Sequence, residues 1–203
     1  MSARAAILGR LGSSTSPDLA AGAAALLVGP ERPRVDPDQL VDTFAARLAA
    51  PSLAATFETI ATPLALPAAI ARYLAEQGAP PSLYVPPVRW LETLDWGGLT
   101  RDRSIAVDGG AALAVATAAV AETGSLVLDT APEAPMLPNF LALRHIILVR
   151  RETLVAQLED IPAPAAWPRA RYWITGVSGT TDIEGQYVRG AHGPRYLHIL
   201  LIG

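Results

Sequence analysis

The chain contains no cysteine. It therefore offers no thiolate for an iron–sulfur cluster, no disulfide and no cysteine-based zinc site. Any redox chemistry then requires a bound cofactor or a partner chain, and none is expected to be held by this chain alone. A cysteine-free composition fits a reducing cytosol, so a cytoplasmic location is expected. Long apolar runs are missing as well. Although 51% of the residues are hydrophobic, proline, glycine or charged residues interrupt every run before the roughly 20 residues that a membrane-spanning helix requires. The opening stretch MSARAAILGRLGSS has a basic residue and an apolar patch too short for a signal-peptide core, and reads as an amphipathic first helix. No basic stripe alternates with aromatics and the net charge is -3, which argues against a nucleic-acid surface. No block of like charges marks an interaction tail.

Several catalytic signatures are also absent. No G-x-G-x-x-G follows a strand, no GK[ST] supplies a Walker A lysine, and no G-x-S-x-G forms a nucleophile elbow, so P-loop nucleotide hydrolysis and serine-hydrolase chemistry are poorly supported. The three histidines, His145, His192 and His198, stand at no metal-ligand spacing. No metal site is expected, and each histidine is read as structural or hydrogen-bonded.

What remains is 203 residues, enough for one sizeable core. Residues 1–52 read as a helical extension packed on or near a main domain of residues 53–203. Within the extension, PDQLVDTFAARLAA is the strongest helix, with Pro37 at its start and Leu40, Phe44 and Leu48 on one face. From residue 54 strands and helices alternate. AATFETIA, PSLYVPP, RSIAV, LAVATAAVA, SLVLD, HIILVRR, RYWITG and YLHILLI read as strands; LPAAIARYLAEQG and RETLVAQLED read as helices, and VRWLETL as a helical turn. This alternation predicts an α/β fold with a mostly parallel, mixed sheet covered on both faces. HIILVRR has the uninterrupted apolar character of a strand buried on both sides.

Two stretches concentrate unusual chemistry. In TGVSGTTDIEGQYV, Gly176, Ser178, Gly179, Thr180, Thr181, Asp182 and Glu184 follow the end of a strand. Glycines let the backbone turn its N–H groups inward, and a helical turn starting near Thr180 would add unpaired N–H groups, together forming a cradle for phosphate or carboxylate. The same residue types also suit a tight strand-to-helix turn, with Thr180 or Thr181 as the N-cap and Asp182 or Glu184 in the first turn. The second stretch is VAETGSLVLD, where Glu122 and Thr123 leave an apolar run. A carboxylate there is partly desolvated, which suits acid–base or nucleophilic work, whereas a solvated surface turn is the plainer reading. His192 sits in a glycine-flanked turn that faces a cleft on the ligand-binding reading. Open α/β sheets bind ligands at the carboxyl ends of their strands, so these two stretches are expected to meet there, with Glu122 opposite the cradle.

Four motifs, VAETGSLVLD, HIILVRRETLV, ITGVSGTTDIE and GAHGPRYLHILLI, occur in this order between residues 120 and 202. In them the chain resembles the lactate-utilisation protein C family, whose module is the LUD domain, and the resemblance covers roughly residues 55–203. Members of that family carry a proline where Val177 stands, an arginine where Gly179 stands and an alanine where Thr181 stands. The resemblance implies a three-layer α/β/α fold like that of sugar-phosphate isomerases, CoA transferases and formyltetrahydrofolate cyclo-ligase. It also implies a role in oxidising L-lactate to pyruvate beside iron–sulfur partner proteins, as an accessory or regulatory subunit. The alternative is a stand-alone isomerase- or CoA-transferase-like enzyme acting on a small anionic substrate, with Glu122 as base or nucleophile. A non-catalytic sensor of a small carboxylate is a third reading.

Overall fold

A computed structural model describes residues 3–10, 17–27, 34–181 and 183–203. The chain falls into two compact units, residues 1–34 and 35–203. The smaller contains helices α1 (Ala3–Arg10) and α2 (Pro17–Leu26). All other elements belong to the larger unit.

That larger unit begins with a 3-10 turn at Pro37–Gln39, where the Asp36 carboxylate accepts a hydrogen bond from the Asp38 N–H at 3.0 Å. Helix α3 (Leu40–Leu48) follows. Its i, i+4 spacing puts Phe44 and Leu48 on one face, and both are fully buried. Helix α3 was read as part of the N-terminal extension; its buried face belongs to the core of the larger unit.

The central sheet has six strands: β1 (Thr56–Ile60), β2 (Ser82–Tyr84), β3 (Thr100–Asp102), β4 (Gly109–Val115), β7 (Ala142–Arg150) and β12 (Tyr196–Ile202). Their spatial order is β1-β12-β7-β4-β2-β3, and every pairing is parallel. The last strand in sequence thus sits inside the sheet, between β1 and β7. This is why YLHILLI is apolar on both faces.

One face of this sheet is covered by α4 (Leu66–Glu76) and α5 (Arg89–Glu92). Leu66, Ile70, Tyr73 and Leu74 form the buried stripe of α4 against Ile146, Leu148 and Leu200. The chain leaves α4 at Gly78, whose φ of +58° is the left-handed conformation that favours glycine after a helix. The opposite face is covered by α3 and by a second sheet, ordered β8-β5-β6-β9, of β5 (Ala118–Val120), β6 (Ser125–Asp129), β8 (Leu154–Val155) and β9 (Arg171–Ile174). The second sheet contains the antiparallel pairs, β5 with β6 and β6 with β9. The α/β architecture and the mostly parallel sheet expected from the sequence are present, and the covering layer on this face is shared between a helix and strands. Helix α6 (Leu137–Leu141) leads into β7.

Three local expectations differ from the structure. RETLVAQLED, read as a helix, is a 3-10 turn at Arg151–Thr153, then β8, then a second 3-10 turn at Leu158–Asp160. Its apolar residues find β5 as a partner, Leu154 opposite Ala119 and Val155 opposite Val120, and sheet pairing outweighs its helix-like spacing. RSIAV is not a strand; the strand in this region is β3, just before it. Finally, among the described residues no helical turn follows Thr180. The segment forms a hairpin of β10 (Gly179–Thr181) and β11 (Tyr187–Arg189).

Among the described residues, no helix is long and apolar enough to cross a membrane.

Candidate functional site

The antiparallel pairing of β6 with β9, Leu126 opposite Ile174, brings the Glu122–Ser125 turn beside the Thr175–Ser178 stretch. The two stretches therefore meet across some fifty residues of sequence. Their junction is fastened by hydroxyls. Thr123 Oγ1 donates to Ser125 Oγ at 2.8 Å, and Ser125 Oγ lies 2.7 Å from Thr175 Oγ1. Leu53 is wedged between them. A Cβ on Gly124 would lie 2.6 Å from the Leu53 side chain, and a Cβ on Gly176 would lie 2.7 Å from the Leu53 Cα. Gly176 also has φ +89°, so close approach and backbone conformation both require glycine there.

The main-chain donors of this bend are turned onto the protein itself. Val177 N–H donates to Leu53 O at 2.9 Å and Ser178 N–H to Pro194 O at 3.0 Å, while Gly190 N–H donates to Ser178 O at 2.8 Å. At Gly179 the missing side chain makes room for the Tyr187 ring across the hairpin. Glycine at that position thus answers a packing demand.

Beside this bend lies a cavity of about 220 Å³. Its walls are the end of α6 (Asn139, Phe140), the start of β7 (His145), the Trp173–Ser178 stretch, the His192–Pro194 turn and Leu197 at the start of β12. It therefore opens at the amino ends of β7 and β12, not at the carboxyl ends where the cleft was expected. A hollow of about 170 Å³ does occupy the carboxyl ends of β2 and β3, beside Tyr84, Glu92, Arg101 and Asp102, but no predicted site residue lines it.

Of the residues singled out in the sequence, Gly176, Ser178 and His192 line the cavity of about 220 Å³. Thr123 is one hydroxyl removed from Thr175, which also lines it. Gly179, Thr180 and Thr181 lie in β10 and Glu184 in the hairpin loop, all exposed and outside the cavity lining. Asp182 lies outside the described residues. Glu122 does not face the cavity. Its Oε1 accepts the Leu158 N–H at 2.9 Å, while its own N–H donates to Ala156 O at 3.1 Å. This carboxylate anchors the start of the Leu158–Asp160 turn.

The residue that sequence reasoning undervalued is His145. Its side chain is on the same sheet face as Ile147 and Val149, it is 1% exposed, and it lines the cavity. Neither ring nitrogen has a hydrogen-bond partner within the protein. Burial pushes its pKa down to about 3, so the ring is neutral. The available signal was a titratable ring within an otherwise apolar, doubly buried strand. Near the cavity, Asn139 Nδ2 donates to the Tyr172 hydroxyl at 2.7 Å. On β6 and β9, Asp129 and Arg171 form a two-pronged ion pair at 2.7 and 2.8 Å. Among the described residues, no three His, Asp or Glu side chains gather in a way that would hold a metal ion.

A parallel α/β sheet backed by a small mixed sheet is an arrangement that other proteins share. The sequence pattern of the LUD domain matches residues 69–202, and the chain belongs to that family. It is 33% identical over 111 residues to the lactate utilization protein C of Deinococcus radiodurans, across 50% of this chain and 48% of that protein. It is 27% identical over 143 residues to the lactate utilization protein C of an Exiguobacterium species, across 65% of this chain and 61% of that protein. The chain thus spans about half to three-fifths of the length of these curated relatives. The crystal structure of a DUF162 family protein from Deinococcus radiodurans shares the fold, with a TM-score of 0.58 at 20% identity over 84% of this chain and 100% of the other.

Proposed function

We propose that this LUD domain serves lactate utilisation as an accessory or regulatory subunit, working beside iron–sulfur proteins that oxidise L-lactate to pyruvate. The observation that carries this reading is the family match over residues 69–202, joined to relatives that bear the name lactate utilization protein C. The absence of cysteine supports the division of labour, because cluster thiolates then come from partner chains. On this reading the chain holds no redox cofactor of its own and acts in the cytoplasm.

The position of Glu122 favours the accessory role over a stand-alone isomerase- or transferase-like enzyme. A base or nucleophile must reach the reacting atom in a plausible pose. The Glu122 carboxylate is instead bound to the Leu158 N–H, and the lining of the cavity beside the bend contains no carboxylate.

Deletion of the gene tests the reading. Growth on L-lactate as sole carbon source is expected to fail and to return with a plasmid-borne copy. Unimpaired growth on lactate, in a strain with no second LUD gene, contradicts it.

A further inference from the structure

We infer that the hollow at the carboxyl ends of β2 and β3 is a binding site for a small zwitterion, an amino acid with a short aliphatic side chain. Arg101 and Arg103 take its carboxylate, Glu92 and Asp102 take its ammonium group, and the Tyr84 hydroxyl supplies a further hydrogen bond.

Four charged residues line this hollow: Glu92 at the end of α5, Arg101 and Asp102 in β3, and Arg103 just beyond that strand. Among the described residues, none of the four forms an ion pair or a hydrogen bond through its side chain. The backbone explains why neighbouring opposite charges stay apart. β3 is an edge strand, and its register sets Arg101 opposite Leu83 and Asp102 opposite Tyr84. Successive residues of a strand point to opposite faces, so Arg101 and Asp102 leave β3 on different sides. Both signs of charge are thus left available to a ligand.

Tyr84 adds an independent sign of a missing partner. The residue is 7% exposed, and its hydroxyl bonds to no other group among the described residues. Its oxygen is nonetheless not sealed in, unlike the ring nitrogens of His145. A buried tyrosine usually finds a partner for its O–H, and the space that Tyr84 borders is this hollow. Burial raises its pKa, so the hydroxyl stays protonated and can donate.

The position and size suit a small ligand. Open parallel sheets bind ligands outside the carboxyl ends of their strands, and β2 ends at Tyr84 and β3 at Asp102. The chain leaving β2 runs through Val85, Pro86 and Pro87, which give the hollow its apolar wall. At about 170 Å³ the space is below the roughly 300–1,000 Å³ typical of drug-sized ligands. The balance of charge selects the class. A simple carboxylate would meet Glu92 and Asp102 with nothing to offer them, and a simple amine would meet Arg101 and Arg103 likewise. A molecule carrying both charges satisfies both pairs. The site stands apart from the lactate reading, which holds with or without it.

The test uses the full chain with three probes of one carbon skeleton: L-valine, isovalerate, which lacks the ammonium group, and isobutylamine, which lacks the carboxylate. Binding is followed by titration calorimetry and by melting temperature. Valine is expected to bind saturably and to raise the melting temperature, and each of the other probes to bind about tenfold more weakly or worse. Arg101→Gln and Glu92→Gln each remove one exposed charge and should fold. Each should weaken valine binding about tenfold, and Tyr84→Phe about threefold. Arg189→Gln, in the hairpin and outside the hollow lining, should leave it unchanged. The proposal is overturned if valine fails to bind at millimolar concentration, if isovalerate or isobutylamine matches it, or if valine binds Arg101→Gln and Glu92→Gln as well as the unmodified chain.

Discussion

The imidazole of His198 lies flat on the phenol of Tyr73, with ring centroids 4.0 Å apart and planes 5° from parallel. Tyr73 belongs to α4 and His198 to β12, so this contact fixes the helix over the sheet's interior strand. Thr56 in the neighbouring β1 meets the other side of the arrangement through His198 Nδ1. Burial pushes the Tyr73 pKa up to about 12, so the stack is between two neutral rings. His145, one strand over and on the opposite face, is equally enclosed.

These two histidines make the fold acid-sensitive. Burial, aided at His198 by the nearby Arg72 guanidinium, lowers their pKa values to about 3 for His145 and about 4 for His198. The ordinary value in an unfolded chain is about 6.5. Between these values the unfolded state binds more protons, so stability is fully present above about pH 6.5 and falls as pH drops toward 3–4. Each histidine contributes up to about 1.4 kcal/mol per pH unit across its window. Melting temperature measured from pH 8 to pH 4 should fall most steeply below about pH 6, and His198→Phe should flatten the slope. An unchanged slope in that variant contradicts the assignment.

The bend at Gly176 should tolerate no side chain. Gly176→Ala combines a φ of +89° with a Cβ 2.7 Å from the Leu53 backbone, and a loss of about 2–4 kcal/mol is expected. Gly185→Ala has a similar φ of +80° but open space around it, so about 1 kcal/mol is expected. Urea denaturation of both variants separates packing from conformational strain. Equal losses would show that Leu53 gives way.

Glu122 is predicted to be structural. Glu122→Gln keeps an oxygen acceptor for the Leu158 N–H and should leave stability within about 0.5 kcal/mol. Glu122→Ala should cost about 0.5–1 kcal/mol, as loss of a helix cap does. Both variants should restore lactate growth in the deletion strain. Failure of a folded Glu122→Gln chain to do so would return the carboxylate to the chemistry.

Much of the fold was legible because its signals are local. Pro67 and Gly78 bracket α4, and the apolar runs HIILVRR and YLHILLI became adjacent buried strands. What was not legible depended on distant partners. RETLVAQLED has helix-like apolar spacing, but Leu154 and Val155 pair with β5. The glycines and hydroxyls after Thr175 resemble a strand-to-helix turn, yet Val177 and Ser178 find their acceptors at Leu53 and Pro194. His145 stood in plain view within an apolar strand, but that its ring nitrogens lack partners follows from the side chains packed around it, which are distant in sequence.

The accessory role is tested most directly by the iron content of the tagged chain when it is purified from its own lactate-grown host. The account predicts that iron and acid-labile sulfide elute with it, carried by a second, cysteine-containing polypeptide. A chain that elutes alone and free of iron, from cells growing on lactate, would contradict it.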